Sequence, residues 1–186
     1  MRKIITIVPV VFLLIISWTT YPAETSPARE AITKYFEAVR VYDTEVMADM
    51  MHPQALKQFR DSMDGALNGP KSDLARTEIL PIITVSSIEE YQSLSNRETY
   101  KRLNDVIVKT QPDLLALMKN SEFKIVTENI EGDIAYFTYA LQINMDGQSF
   151  SKDVVQKLKL SDGKWMLLLA ADAEATIAGI AARYNN

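Results

Sequence analysis

The side chains of this chain that could move a proton are few and far apart in sequence. An enzyme that shifts a proton beside a carbonyl needs a carboxylate or imidazole base and, close to it, a phenol or cation that steadies the developing oxyanion. His52, Asp49 and Glu128 are the candidate bases, and Tyr35, Tyr139 and Lys152 the candidate donors. Each has a plainer alternative. His52 stands before Pro53, a place where an imidazole caps a helix or lies at the surface. Asp49 falls on the solvated side of a short helical segment, and the tyrosines can fill core with the hydroxyl at its rim. Other chemistries lack their residues. There is no cysteine, which excludes disulfides, thiolate metal sites and cysteine nucleophiles, and a single histidine excludes a multi-histidine metal centre. A carboxylate cation site would need a loop of the Asp-x-Asp-x-Asp-Gly kind, and neither that loop, a Gly-x-Ser-x-Gly elbow nor a phosphate-cradling glycine loop is present. No metal and no cofactor is expected, and a net charge of −4 carries no electrostatic footprint for nucleic acid.

The elements that must position these residues are clearest from Glu122 to Ala170. Three glycine turns about fifteen residues apart, at Gly132, Gly147 and Gly163, divide alternating apolar residues into four strands of a β-meander. With Asp146-Gly147 as a two-residue loop, Met145 pairs with Gln148, Ile143 with Phe150, Leu141 with Lys152, Tyr139 with Val154 and Phe137 with Gln156. One face then carries Ala135, Phe137, Tyr139, Leu141, Ile143, Phe150, Val154, Leu158 and Leu160, joined by Trp165, Leu167 and Leu169. The other carries Ser149, Ser151, Asp153, Lys157 and Lys159, with Val155, Met166 and Leu168 as apolar exceptions. Lys152 and Gln156 fall on the apolar face, where each needs a partner or a wet cavity. Either they line a pocket, or Lys152 snorkels past the sheet edge and Gln156 bonds to a helix end. For the first strand an even-length loop turns Val126, Glu128 and Ile130 inward, whereas an odd-length loop selects Phe123, Ile125 and Thr127.

Helices precede the sheet. Ser26-Pro27 supplies a cap and a first-turn proline for a helix burying Ile32, Tyr35, Phe36, Val39 and Tyr42. Asp43 or Thr44 caps a second with Val46, Met47, Met50 and Met51, and a third after His52-Pro53 carries Ala55, Leu56, Phe59, Met63 and Leu67, ending at Asn68-Gly69-Pro70. The methionines read as adaptable core. A short helix is expected from Asp73 to Leu80, stopped by Pro81, with Ile82 to Val85 as a brief β-branched stretch at a sheet edge. Ser87-x-x-Glu90 and Ser95-x-x-Glu98 read as capping boxes, the second opening a helix with Tyr100, Leu103 and Ile107 on one stripe; Pro112 starts another. Residues 172–184 form an alanine-rich terminal helix. The fold class is therefore α+β: residues 26–119 mainly helical, 122–170 a curved antiparallel meander, all within one domain of residues 24–186. Ahead of it, Arg2 and Lys3 precede an apolar run from Ile4 to Trp18, the order of a secretory signal. Residues 1–23 are thus expected to be removed on export or, with bulky Tyr21 near the cut after Ala23, kept as a membrane anchor through residues 4–18.

The opening from Ala31 through Tyr35, Ala38 and Tyr42 to Asp43, Val46, Met47, Met50 and His52-Pro53 resembles the first helices of the nuclear transport factor 2-like superfamily. The strand beginning Gly132-Asp133-x-Ala135 and the closing Asp162-Gly163-Lys164-Trp165 resemble its final sheet. The resemblance implies an α+β cone, often dimeric, whose bent sheet and N-terminal helices enclose a pocket; members include isomerases, cyclases, dehydratases and exported proteins. After His52-Pro53 the superfamily usually enters a strand, whereas this chain continues into helix, so no catalytic residue is carried over. Three readings follow. The first is a non-catalytic exported domain holding a small apolar or amphipathic molecule or a partner protein on Phe137, Tyr139, Leu141, Lys152, Val154, Gln156, Leu158 and Trp165. The second is a proton-transfer enzyme using the bases above. The third is a homodimer or envelope assembly formed through Val155, Met166 and Leu168 or the terminal helix.

Overall fold

A computed structural model of the chain describes residues 25–145 and 148–185. The segment read as an export signal or anchor, residues 1–23, and the Asp146-Gly147 turn lie outside the described residues. Among those described, no helix is long and apolar enough to cross a membrane. The architecture is α+β, and among the described residues seven helices precede a four-stranded antiparallel sheet and one follows it.

The helix starts follow local chemistry. In α1 (Pro27–Val41) Ser26 accepts the Arg29 amide, and in α2 (Thr44–Met50) Asp43 accepts that of Val46. In α3 (Pro53–Leu67) the His52 ring accepts the amide of Gln54. Ser87 and Ser95 cap α5 (Ile88–Ser93) and α6 (Asn96–Thr110) in the same way, so four serine or aspartate caps and one imidazole satisfy amides that would otherwise be orphaned. Pro112 opens α7 (Pro112–Lys119). Between them, α4 (Ser72–Ile82) continues through Pro81 by one residue. The expected edge strand at Ile82–Val85 does not form. Thr84 instead takes a left-handed turn and the Val85 amide donates to the Leu80 carbonyl, which folds Ile83 and Val85 back into a helical core.

The meander of β1 (Glu122–Glu131), β2 (Ile134–Met145), β3 (Gln148–Ser161) and β4 (Lys164–Leu167) has the order β1-β2-β3-β4. Its central register is the one derived from the turns: Met145 with Gln148, Leu141 with Lys152, Tyr139 with Val154, Phe137 with Gln156. At the last turn both Asp162 and Gly163 have positive φ, the backbone a tight two-residue hairpin with right-handed twist requires. Of the two inward sets considered for β1, Phe123 and Ile125 are drawn in, whereas Val126, Thr127 and Ile130 are exposed and Glu128 is half-buried. The Gly132-Asp133 loop is even, so Glu128 and Ile130 pair with Phe137 and Ala135; a bulge at Val126 then shifts the strand so that Phe123 and Ile125 pair with Leu141 and Tyr139 and reach the core.

Two buried clusters result. One joins α1, the start of α3 and the sheet through Ile32, Phe36, Met51, Leu56, Phe137, Leu158 and Leu167. The other joins α3 to α4, α5 and α8 (Ala171–Asn185) through Phe59, Met63, Leu67, Ile79, Ile83, Tyr91 and Tyr184. Tyr100 of α6 and Ile177 of α8 touch both.

Candidate functional site

The sheet face expected to hold a ligand is largely filled by the protein itself. Phe137 and Leu158 have no exposed surface, Tyr139 is buried beneath Phe36 at 4.6 Å between ring centroids, and Leu141 and Val154 close the same layer. Gln156 is buried as its register demands. It donates to the Leu168 carbonyl at 2.7 Å and to that of Lys157 at 2.9 Å, so its partners are the end of β4 and its own strand rather than a helix end. Lys152 reaches past the sheet rim to Asp172 in the first turn of α8, with both side chains largely in solvent. Trp165 is half-buried in an open cleft with Met50 and Val46, on the far side of α1. Toward the hairpin tip the apolar face runs out: Phe150 is exposed. On the other face Val155 is exposed, whereas Met166 and Leu168 are half-buried.

The candidate bases are held in separate structural contacts. Asp49 pairs with Arg97 of α6 at 2.6 Å on the surface. Glu128 accepts hydrogen bonds from Ser26 and Arg29, tying β1 to the start of α1; burial alone would raise its pKa, but these two donors outweigh it and hold the carboxyl below its usual range. His52 is buried at the α2–α3 junction, its ring nitrogen capping α3 and its amide donating to the Leu167 carbonyl at 2.8 Å. Burial, with Lys159 nearby, pushes its pKa down. Burial also pushes the Tyr139 phenol up to about 12, with the Asp172 carboxylate adding to the rise. Tyr139 and the three bases are therefore not assembled as an acid–base set.

A different site lies at the seam of the two clusters. A chamber of about 170 Å³ opens between α3, α6 and α8, with Phe59, Leu103 and Leu169 on one side and Ala173, Ile177 and Ile180 on the other. Its polar groups are Tyr100, Asn104 and Thr176. Tyr100 stands edge-on to Phe59 at 5.7 Å, and Tyr35 of α1 packs, as Tyr100 does, against the buried sheet cluster. Burial raises the pKa of both phenols, so at neutral pH they are protonated donors. Asn104 is buried and spends one amide hydrogen on the Tyr100 carbonyl at 2.9 Å. Tyr100 is the one ionisable side chain on this wall among the described residues.

The α6 stripe of Tyr100, Leu103 and Ile107 was legible in the sequence, but its place against α8 was not. Asn104, four residues after Tyr100, offered the local signal: an amide set on an otherwise apolar helical stripe.

No family model matches, and no curated protein matches. Among solved structures, the solution structure of a SEC-C motif containing protein from Rhodopseudomonas palustris is similar at 12% identity, covering 60% of this chain and 89% of that one, with a TM-score of 0.27. At that score the likeness bears on neither fold nor function.

Proposed function

We propose that this protein is an exported, non-catalytic domain of the nuclear transport factor 2-like kind that binds a small apolar or amphipathic molecule in the chamber between α3, α6 and α8. The observation that carries the reading is the chemistry of the wall. Aromatic and aliphatic groups surround three neutral polar side chains, and neither a carboxylate nor an imidazole is among them. A ligand can there be held and oriented by Asn104, Tyr100 and Thr176, with no base to take a proton from it. Size narrows the choice. A chamber of about 170 Å³ is close to the roughly 150 Å³ apolar cavity that admits benzene in another protein, and well below the volume of drug-sized ligands. The occupant is thus a single ring or a short chain with one polar end. Export rests on Arg2, Lys3 and the apolar run from Ile4 to Trp18.

The test is thermal unfolding of the full chain with benzene, phenol and hexanol. Phenol is expected to stabilise most, by about 2.7 kcal/mol at a hundredfold excess over its Kd. Ala173→Phe, which fills the chamber from α8, should abolish the effect. A stabilisation that survives Ala173→Phe, or none with any of the three probes, ends this reading.

A further inference from the structure

The two edges of the sheet are treated differently. Beyond β4, Met51 bridges to Leu167 and the His52 amide donates to the same residue's carbonyl, so that edge is covered. Beyond β1, no strand or bridge follows among the described residues. Helix α1 runs beside this open edge and leaves a groove of about 590 Å³ between itself and Glu122–Ile125. The floor is aromatic: Phe36 and Phe123 stack there at 4.6 Å, 12° from parallel.

The groove has a direction. Arg29, near the start of α1, bonds Glu128 late in β1, whereas Arg40, near the end of α1, shares a depression with Lys119 just before β1. The helix and the strand are therefore antiparallel, and the cations at the Glu122 end are Arg40 and Lys119. Arg29 is ion-paired through its Nε, at 2.7 Å from Glu128. Arg40 is not: its Nε is buried without a hydrogen-bond partner, and its Glu37 contacts are at 3.4 and 3.5 Å, the outer limit of a hydrogen bond. Lys119 and Lys124 form no ion pair among the described residues. Glu37 and Glu122 are the opposing charges on the rim.

We propose that this groove docks an extended peptide segment that adds to Glu122–Ile125 as a fifth, antiparallel strand and places its C-terminal carboxylate at Arg40 and Lys119. Strand addition draws its affinity from main-chain hydrogen bonds, which an open edge supplies regardless of sequence, and its specificity from the flanking side chains. The polarity follows from the geometry. A strand antiparallel to β1 ends beside Glu122, where the under-partnered cations are. The bulge at Val126 breaks the regular edge, so pairing stops after Ile125. Glu122, Lys124 and the bulge also discourage addition of a long sheet from another copy, which leaves a short segment as the occupant.

The test is fluorescence anisotropy of the full chain with a labelled hexapeptide of alternating threonine and valine, made with a free C-terminal carboxylate and as the C-terminal amide. Saturable binding of the acid form is expected, weakened about tenfold by amidation, by Arg40→Gln and by Lys119→Gln, and lost with Thr33→Trp, which fills the groove from an exposed helix position. Hydrogen exchange should slow at Glu122–Ile125 in the complex. Equal affinity for acid and amide, indifference to both cation variants, or no binding at about 1 mM overturns the proposal. Lys119 is exposed, so its variant keeps the test valid even where Arg40→Gln disturbs folding.

Discussion

His52 shows how a residue suited to chemistry is spent on structure. Its neutral ring caps α3, and protonation would remove the acceptor that holds the Gln54 amide. Because burial lowers its folded pKa below the ordinary histidine value, the unfolded chain takes the proton first. The stabilisation is complete above about pH 6.5, and it is lost as the pH falls through the folded pKa. His52→Asn should keep the cap and abolish the dependence of melting temperature on pH between about 7.5 and 5.5, while His52→Ala should also cost about 1 kcal/mol. A pH profile unchanged in both variants would mean that another group titrates. Glu128, held below its usual range, contributes in the opposite part of the scale: its share is present above the ordinary carboxylate range and fades only under stronger acid. Arg60 is the second residue whose charge is structural. It is buried against the Tyr91 ring at 3.9 Å and donates to Asp64, Thr99 and the carbonyls of Leu94 and Tyr91. Arg60→Met should cost about 3 kcal/mol in urea unfolding, because the acceptors stay buried after the donor is gone; a loss under about 1 kcal/mol would show that water reaches them.

Elements meet at ends that local chemistry determines well and at one that it determines badly. Serine, aspartate and proline mark the starts of α1, α2, α3 and α5 to α7 in the sequence because a cap involves a residue and amides two or three positions away. At the end of α4, Pro81 marks the stop to within one residue, but nothing local announces the turn that follows. Thr84 sits there with φ of 54°, a region costly for a β-branched residue, and its side chain is exposed. The backbone turn is nevertheless needed, since it brings Ile83 and Val85 inward and offers the Thr84 carbonyl to Arg102. Thr84→Asn, which tolerates this backbone, should raise stability by about 0.5–1 kcal/mol without altering the turn. A neutral or destabilising result in thermal unfolding would mean that the threonine hydroxyl or methyl contributes something else. The bulge in β1 is the other element-scale feature, and no turn residue announces it; it reconciles an even-length loop with the need to bury Phe123 and Ile125.

At the scale of the molecule, the sheet core and the helical core are linked through Tyr100 and Ile177, with the chamber lying between them. Helix α8 is fastened across this seam at both ends, by Asp172 to Lys152 and by Arg183 and Tyr184 to Glu78. The exposed ion pairs add little by themselves, so the apolar contacts in and between the clusters, Tyr184 among them, carry the coupling. Tyr100→Ala should therefore cost about 3–5 kcal/mol and separate the unfolding curves followed by circular dichroism and tryptophan fluorescence, which are expected to coincide in the parent. Coincident curves in the variant would show that the two clusters are joined elsewhere.

The sequence by itself determined what depends on neighbours in the chain: the caps, the turn positions, the pairing of β2 with β3, and hence which residues share the face of Phe137 and Leu158. A strand period of two and a two-residue loop leave no freedom in that register. It did not determine whether that face would enclose space or be filled, because this depends on the volumes of Ile32, Phe36 and Leu56, brought there from helices about a hundred residues earlier. Only the tertiary structure decided that the inner sheet is solid core, that a small chamber lies where α6 meets α8 and a groove beside β1, and that His52, Asp49 and Glu128 end in different contacts. Packing is settled by shapes meeting across long stretches of chain, and one-dimensional periodicity records the face a residue belongs to, not what it meets there.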